Sequence, residues 1–354
     1  MRLLLWRLLA VGGGIIGSAS MPTTLQRVLS VVDKAQVLNH ASFGVGFDLT
    51  ASYGIAAVSF SNGTTVTLAK VSSDDGYDEV LQRLSLDSSR HLSPPYEHLF
   101  DSWDDMPRQL LRKARKAIGL PASHDVGLLA KMLSDLRSLV EEEIGKPVES
   151  AGVATLNLVA LYPEDLQDAF EYVGLRYLTF PVRYGVLYET SAAYAGYKFG
   201  LCSDYTNRSA CKNEQDDMPD DVVMAVLYTR TALTVSLSIM ASAYYLWEPP
   251  YRHLLDFSLG YDARPVNVAD DNYWDAVGLR LQQILIENPY YKRPAKVLLM
   301  GDCVRDKTFQ RILKKALNQQ MRELPEILDR GSEGVAAKGA AEFAKRIPYD
   351  PYRF

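Results

Sequence analysis

The sequence predicts an α/β protein in which one arrangement of elements occurs twice. Three observations predict it. Residues 43–48, 54–60 and 64–71 are β-rich runs joined by tight turns, which read as a three-stranded meander. Residues 222–228 and 232–240 start a second set of strands far along the chain. After each set, helical and extended segments alternate, the order that builds α/β layers.

The elements follow from local patterns. Asn62-Gly63 between two apolar runs is the dipeptide of a type I′ hairpin turn. Residues 74–127 are charged and interrupted by proline, which predicts loops plus a helix over about 107–118. In 128–144, Met132, Leu136, Leu139, Val140 and Ile144 recur at helical spacing, and Gly145 and Pro147 end the helix. A strand is expected over 151–161. Pro163-Glu164-Asp165 opens a helix to Tyr172, with acids in its first turn as the helix dipole favours. An extended stretch over 175–187 and a helix over 190–199 come next. The polar, acidic segment 203–221 reads as a linker or surface excursion. An aromatic stretch, 244–257, follows the second strand pair. A helix over 270–287 places Trp274, Val277, Leu281, Ile284 and Leu285 on one face. Strand 296–300 leads into a helix over 305–321 with Phe309, Ile312, Leu313, Ala316 and Leu317 inward. An Ala-rich helix is expected over 333–346.

With 354 residues, 47% of them hydrophobic and 23% charged, the chain is long enough for one large or two medium globular units. A formal net charge of −5 gives no global reason to bind nucleic acid. The basic cluster Arg112, Lys113, Arg115 and Lys116 reads as a solvated helix face rather than a polyanion site. Residues 1–20 begin with Arg2 and Arg7, continue through a short apolar run and end in small residues. That shape fits a secretory signal or an organelle presequence, or else a frayed tail, and is too short for a membrane span. Cys202 and Cys211 bracket a polar loop that a disulfide can close in an oxidising compartment. Cys303, after an apolar strand, is expected to be buried and unpaired. Asn62-Gly63-Thr64 and Asn207-Arg208-Ser209 are glycosylation sequons. With these, the secretory pathway or the exterior is the favoured location, and cytoplasm or mitochondrion the alternative. There is no Cys-x-x-Cys and the five His are scattered, so no zinc spacing exists.

Five phrases resemble the actin-like ATPase superfamily, in the dialect of the seventy-kilodalton heat-shock chaperones and in a divergent, fungal-type form. Asp48-Leu49-Thr50-Ala51-Ser52-Tyr53-Gly54 is similar to the first phosphate loop. Lys146-Pro147-Val148-Glu149-Ser150-Ala151 is similar to the entry of a later strand. Tyr188-Glu189-Thr190-Ser191-Ala192-Ala193-Tyr194-Ala195-Gly196-Tyr197 resembles the family's linking helix. Val297 to Arg305 resembles the adenosine loop, and Gly339-Ala340-Ala341 with Phe343-Ala344 its closing helix. The resemblance implies a duplicated ribonuclease H-like fold, two lobes around a central cleft, with the second lobe shortened between Ser236 and Gly301. Residues 21–200 would form the first lobe, 201–221 a linker, 222–346 the second lobe and 347–354 a tail. It also implies ATP or ADP with Mg as ligand. Asp48 would hold the metal through water, and Glu189 would orient water and metal as the second catalytic carboxylate. Thr50, Ala51, Ser52, Tyr53, Arg230, Gly301, Asp302 and Arg305 would contact the nucleotide.

Departures from the family pattern cut against that chemistry. Where the second phosphate loop should be acid-led and glycine-rich, the chain reads Leu227-Tyr228-Thr229-Arg230-Thr231-Ala232. Side chains there keep the backbone from wrapping a phosphate. Thr50 and Asp302 replace glycines, and no equivalent of the catalytic lysine stands out. Arg230 either reaches a phosphate or faces solvent on its hairpin. The peptide-binding domain of the chaperones is not in this sequence. The leading expectation is a pseudo-ATPase acting through an unidentified protein partner. The alternatives are a working ATP-binding protein or slow ATPase with a chaperone-related role, and a secreted or lumenal glycoprotein module.

Overall fold

A computed structural model describes residues 43–98, 100–179, 186–244, 252–265, 271–287 and 293–350. The candidate targeting segment 1–20, residues 21–42 of the expected first lobe, residues 180–185 and 245–251 of the stretches 175–187 and 244–257, and the last four residues of the tail lie outside the described residues.

Two five-strand paths carry the fold. In the first, β1 (Phe43–Leu49), β2 (Tyr53–Phe60), β3 (Thr65–Ser72), β4 (Ser150–Thr155) and β5 (Arg176–Tyr177) lie in the order β3-β2-β1-β4-β5, and β6 (Leu187–Tyr188) also pairs with β4. In the second, β7 (Asp221–Tyr228), β8 (Leu233–Met240), β9 (Arg252–Asp256), β10 (Lys296–Met300) and β11 (Glu326–Leu328) lie in the order β11-β10-β7-β8-β9. Each sheet joins an antiparallel meander to two parallel strands beside its first strand. Read in chain order, both are the same 3-2-1-4-5 arrangement. That duplicated ribonuclease H-like topology is the actin-like fold.

The helices fill the repeat. In the first half they are α1 (Asp75–Leu84), α2 (Asp101–Asp104), α3 (Met106–Ala117), α4 (His124–Ile144), α5 (Pro163–Tyr172), α6 (Glu189–Gly196) and α7 (Arg208–Asp216). In the second they are α8 (Asp271–Ile286), α9 (Lys307–Gln320) and α10 (Val335–Arg346). Helix α4 starts where the Ser123 hydroxyl accepts the Val126 N–H and stops at Gly145 in the left-handed region, φ 65°. The second core gathers Val226, Leu233, Leu281, Leu299, Phe309 and Leu313 between the second sheet and helices α8 and α9.

Alternation along β1 sets the centre of the molecule. Gly44, Gly46 and Asp48 share one face of the strand, because side chains alternate with period two. A Cβ at Gly46 would stand 2.0 Å from the Ala341 nitrogen, and one at Gly44 2.3 Å from that of Lys345. The missing side chains let α10 lie directly on the sheet. Helix α10 then crosses α6 at equally small residues: a Cβ at Gly339 would meet the Ala192 oxygen at 1.7 Å. Thus the helix that follows the second sheet in the chain packs on the first sheet, where the sequence reading grouped it with the second lobe.

Other expectations need adjustment. The strand expected over 151–161 ends at Thr155, and the chain turns so that the Ala160 N–H reaches the Leu84 oxygen at 3.0 Å. The expected linker 203–221 contains helix α7, capped by the Asn207 side chain. Cys202 and Cys211 form a disulfide that fastens α7, with Cα atoms 5.1 Å apart. Cys303 is half-buried rather than buried. The start of the tail is packed: Ile347 is buried and Tyr349 meets Tyr205 edge-on at 5.6 Å. Gly339→Ala should lower stability by about 1–3 kcal/mol, the usual cost of forcing a methyl group into a filled contact. Urea unfolding checks it; a change under about 0.5 kcal/mol would show that the two helices do not cross this closely.

Candidate functional site

The site lies where β1 and β7 end and turn into β2 and β8. The two turns have the same internal wiring. Thr50 N–H donates to the Tyr53 oxygen at 3.0 Å, its hydroxyl donates to the same oxygen at 2.8 Å, and that hydroxyl accepts the Tyr53 N–H at 3.2 Å. Thr229 does the same with Ala232, at 3.0, 3.2 and 3.3 Å. The Ser52 N–H also turns inward to the Thr50 hydroxyl at 3.3 Å. A phosphate-binding turn works by aiming free N–H groups at the anion. Here a threonine hydroxyl takes those donors in both turns.

The turns also touch one another. The Thr231 hydroxyl donates to the Ala51 carbonyl at 2.8 Å and lies 3.3 Å from the Ser52 hydroxyl. Farther out, Lys70 on β3 pairs with Asp302 at 3.0 Å and with Glu333 at 2.5 Å. Its ammonium also stands 4.2 Å from the Tyr53 ring centre, within cation–π range. Deeper in, the Thr190 and Ser236 hydroxyls meet at 2.9 Å, and the Tyr197 hydroxyl donates to the Leu299 oxygen at 2.7 Å. The two sheets are therefore stitched together along the cleft by their own polar groups.

Asp48 and Glu189 lie under the first turn, both buried. Their carboxyl groups share a hydrogen bond. Burial pushes Asp48 above the usual carboxylate range, against the lowering effect of that hydrogen bond. Burial, and then the charge of Asp48, push Glu189 well up. Two carboxyls this close in a dry site keep a proton between them. One oxygen of each, Asp48 Oδ1 and Glu189 Oε1, is buried without a hydrogen-bond partner. So are the hydroxyls of Tyr53, Thr155 and Thr234. Thr234 is the cross-strand neighbour of Leu227, which stands where the first repeat has Asp48.

The remaining candidates are scattered. Arg230 is exposed and paired with Asp262 at 2.8 Å, so it does not reach into the cleft. Gly301 has φ 101°, and a Cβ there would stand 2.2 Å from the Tyr228 oxygen, so glycine is needed for the loop to pass. Asp302 binds Lys70, and Arg305 is exposed at the rim of an open groove of about 520 Å³ that Lys70, Asp302 and Lys338 also line. Asn62 and Asn207 are exposed at a hairpin turn and at the start of α7. Sequence reasoning missed Lys70 and Thr231. Lys70 was legible as a cation on the third strand of the meander, and Thr231 only as a residue replacing glycine.

As arranged, the turns fit a magnesium–nucleotide poorly: the Ser52, Tyr53 and Ala232 N–H groups are taken by threonine hydroxyls, the turns contact each other, and burial pushes both carboxyls toward the protonated form. Among the described residues no group of three or more His, Cys, Asp or Glu is placed to hold a metal ion. No described helix is long and apolar enough to cross a membrane. The basic cluster of α3 is only partly a solvated face, with Lys113 exposed. Arg112 is buried and pairs with Asp165 and Asp168 of α5, each at 2.7 Å, and Lys116 pairs with Asp168 at 2.7 Å.

No family model and no curated protein matches the chain. Among solved structures, the ethanolamine utilization protein EutJ from Carboxydothermus hydrogenoformans is similar, with 12% sequence identity and a TM-score of 0.47. The similarity covers 89% of this chain and 99% of that one. The assignment to the actin-like ATPase fold rests on the strand order of the two sheets.

The carboxyl pair sets a pH dependence. In the unfolded chain both groups ionise near pH 4, whereas in the native state they hold a proton to higher pH. The unfolded state therefore binds fewer protons above that point, and stability falls as pH rises through the raised native values. Glu189→Gln removes one of the two raised groups and leaves Asp48 to titrate. From about pH 5 to about pH 8 its stability should rise relative to the parent by about 1 kcal/mol or more. Denaturant titrations at the two pH values check this, and parallel curves would show that the pair shares no proton.

Proposed function

We propose that this protein is a non-hydrolysing relative of the actin-like ATPases, closest in its motifs to the heat-shock chaperone nucleotide-binding domain, and that it acts through protein contacts with its lobes held together. The observation that carries the reading is the bond from the Thr231 hydroxyl to the Ala51 carbonyl, 2.8 Å across the mouth of the cleft. In a working site, the phosphates and metal stand between these two turns, and transfer to water needs the γ-phosphate fixed, its charge neutralised and a water aligned. Of the groups that do this, Asp48 and Glu189 remain, and burial pushes both above the usual carboxylate range. Each lost electrostatic element typically costs on the order of 10²-fold in rate.

One observation favours the slow-ATPase reading. The unpartnered oxygens of Asp48 and Glu189 are the groups a hydrated magnesium ion would take up. The bridge between Cys202 and Cys211 supports an oxidising compartment, and with it the glycoprotein reading. Intact mass before and after deglycosylation tests the latter at Asn62 and Asn207.

A ligand that binds only the native state adds RT ln(1 + [L]/Kd) to stability, about 2.7 kcal/mol at a hundredfold excess over Kd. Millimolar Mg-ATP should leave the melting temperature unchanged. ATP turnover should equal that of an Asp48→Ala, Glu189→Ala double variant. A magnesium-dependent turnover that disappears in that variant would replace this reading with the slow ATPase.

A further inference from the structure

Helix α9 turns an unbalanced row of charge to the outside. Lys307, Arg311, Lys314 and Lys315 follow at spacings of four, three and one, which puts them on one side of the helix. Phe309, Leu313, Ala316 and Leu317 take the other side and are buried. All four cations are exposed, and among the described residues none of them pairs with an acid. From Lys307 to Arg322 the chain has no acidic residue. The acids next to the helix do not offset the row. Asp306 is spent on the cap, where it accepts the Thr308 and Phe309 N–H groups at 2.9 Å each, and Glu323 lies past the helix end. Arg311 faces like charges at Lys307, Lys314 and Lys315, three and four residues away, and such pairs repel. The free protein therefore carries a cost on α9 that a negative partner relieves.

Beside the row is a notch between α8 and α9. The Gln282 amide donates to the Gln319 oxygen at 2.7 Å and holds the two helices side by side. A Cβ at Gly278 of α8 would stand 3.3 Å from the Ile312 side chain of α9. With Trp274, Leu279 and Ala316, these two residues line a space of about 230 Å³, and Lys315 of the cation row lines it too. That is room for one large apolar side chain. Leu279 is 64% exposed, so unburied apolar surface edges the notch. Asp275, on the α8 side, is the acid among the lining residues.

Charge and shape together select the occupant. The row takes carboxylates or phosphates, and the notch takes an apolar side chain. From Lys307 to Lys315 the row covers about 12 Å, at about 1.5 Å per residue. The net charge of −5 offers no wider field to hold a long polyanion. A nucleic-acid backbone would use the row and leave the notch empty. A short acidic segment with one bulky apolar residue uses both, as groove-bound peptides use side-chain anchors. We propose that the α8–α9 face binds such an acidic segment of a partner protein, with its apolar side chain in the notch and its carboxylates on Arg311, Lys314 and Lys315. The partner class so defined belongs to the protein contacts proposed above and rests on that reading.

The test uses the full chain without nucleotide and three fluorescent probes: a glutamate-rich peptide with one central leucine, the same peptide with serine for leucine, and oligothymidylate. Anisotropy should show the leucine peptide binding, more weakly as salt is raised, and the serine peptide binding on the order of tenfold more weakly. An Arg311→Glu, Lys314→Glu double variant should bind the leucine peptide roughly tenfold more weakly or worse. Reversing Arg311 turns its repulsions with Lys307 and Lys315 into attractions, so this variant should melt no lower than the parent. Lost recognition is thereby separated from lost structure. Leu279→Ser changes an exposed residue and should narrow the difference between the two peptides. A leucine peptide that does not bind at low salt, equal affinity for the two peptides, or a double variant that binds as well as the parent would overturn the proposal. So would oligothymidylate binding more tightly than the leucine peptide, which would make a nucleic acid the occupant. With no nucleotide present, these outcomes are read apart from magnesium-dependent turnover, which bears on the non-hydrolysing reading alone.

Discussion

The hydrogen bond from the Thr231 hydroxyl to the Ala51 carbonyl joins two turns that belong to different sheets. Everything else about the cleft is consistent with that contact being made. Each turn is tightened by its own threonine, Thr50 in one and Thr229 in the other. The contact can persist only because α6 and α10 bring the sheets close at their bases, through Gly196 and Gly339. Lys70 adds an ionic bridge at the rim, where Asp302 occupies a position that the family fills with glycine. Individually such contacts are modest, about 0.5–1.5 kcal/mol for a neutral hydrogen bond. They act on the same relative placement of two rigid sheets, so they reinforce one another.

The carboxyl pair below the turns shows the cost of burying two acids at one packed site. Asp48 shares a strand face with Gly44 and Gly46, the face on which α10 lies, and Glu189 opens α6 beside it. Both are therefore buried by the same packing that holds the sheets together. Burial of two like charges is relieved by retaining a proton, and it pushes both carboxyls above their usual range. Unpartnered oxygens on both residues mark the pair as a locus of polar strain rather than of stability.

The framework was legible because its elements bury themselves by simple periodicities: near-continuous apolar strands β1, β7 and β10, and α8 and α9 with apolar residues at helical spacing. Elements held by other means were not. Helix α7 is polar on most sides and depends on its Asn207 cap and the bridge to Cys202. Strand β11 has three residues, too few for a pattern. Helix α1 carried a readable signal, an Asp74 cap with Tyr77, Val80, Leu81 and Leu84 inward, inside a segment that charge and proline made look like loop. In the site, Asp48, Glu189 and the two turns could be found by motif. The contacts of Thr231 and Lys70 depend on how one sheet sits against the other, which no local pattern encodes. The same is true of α3, whose burial of charge required knowing that the α5 acids stand opposite.

Amide hydrogen exchange at the turns tests the closed cleft most directly. The N–H groups of Ser52, Tyr53 and Ala232 bond to threonine hydroxyls inside a buried contact. They should exchange slowly, on the scale of the surrounding strands, with rates unchanged by saturating Mg-ATP. Fast exchange at these amides that slows when Mg-ATP is added would contradict the account, because it would show an open cleft with donors free to receive a phosphate.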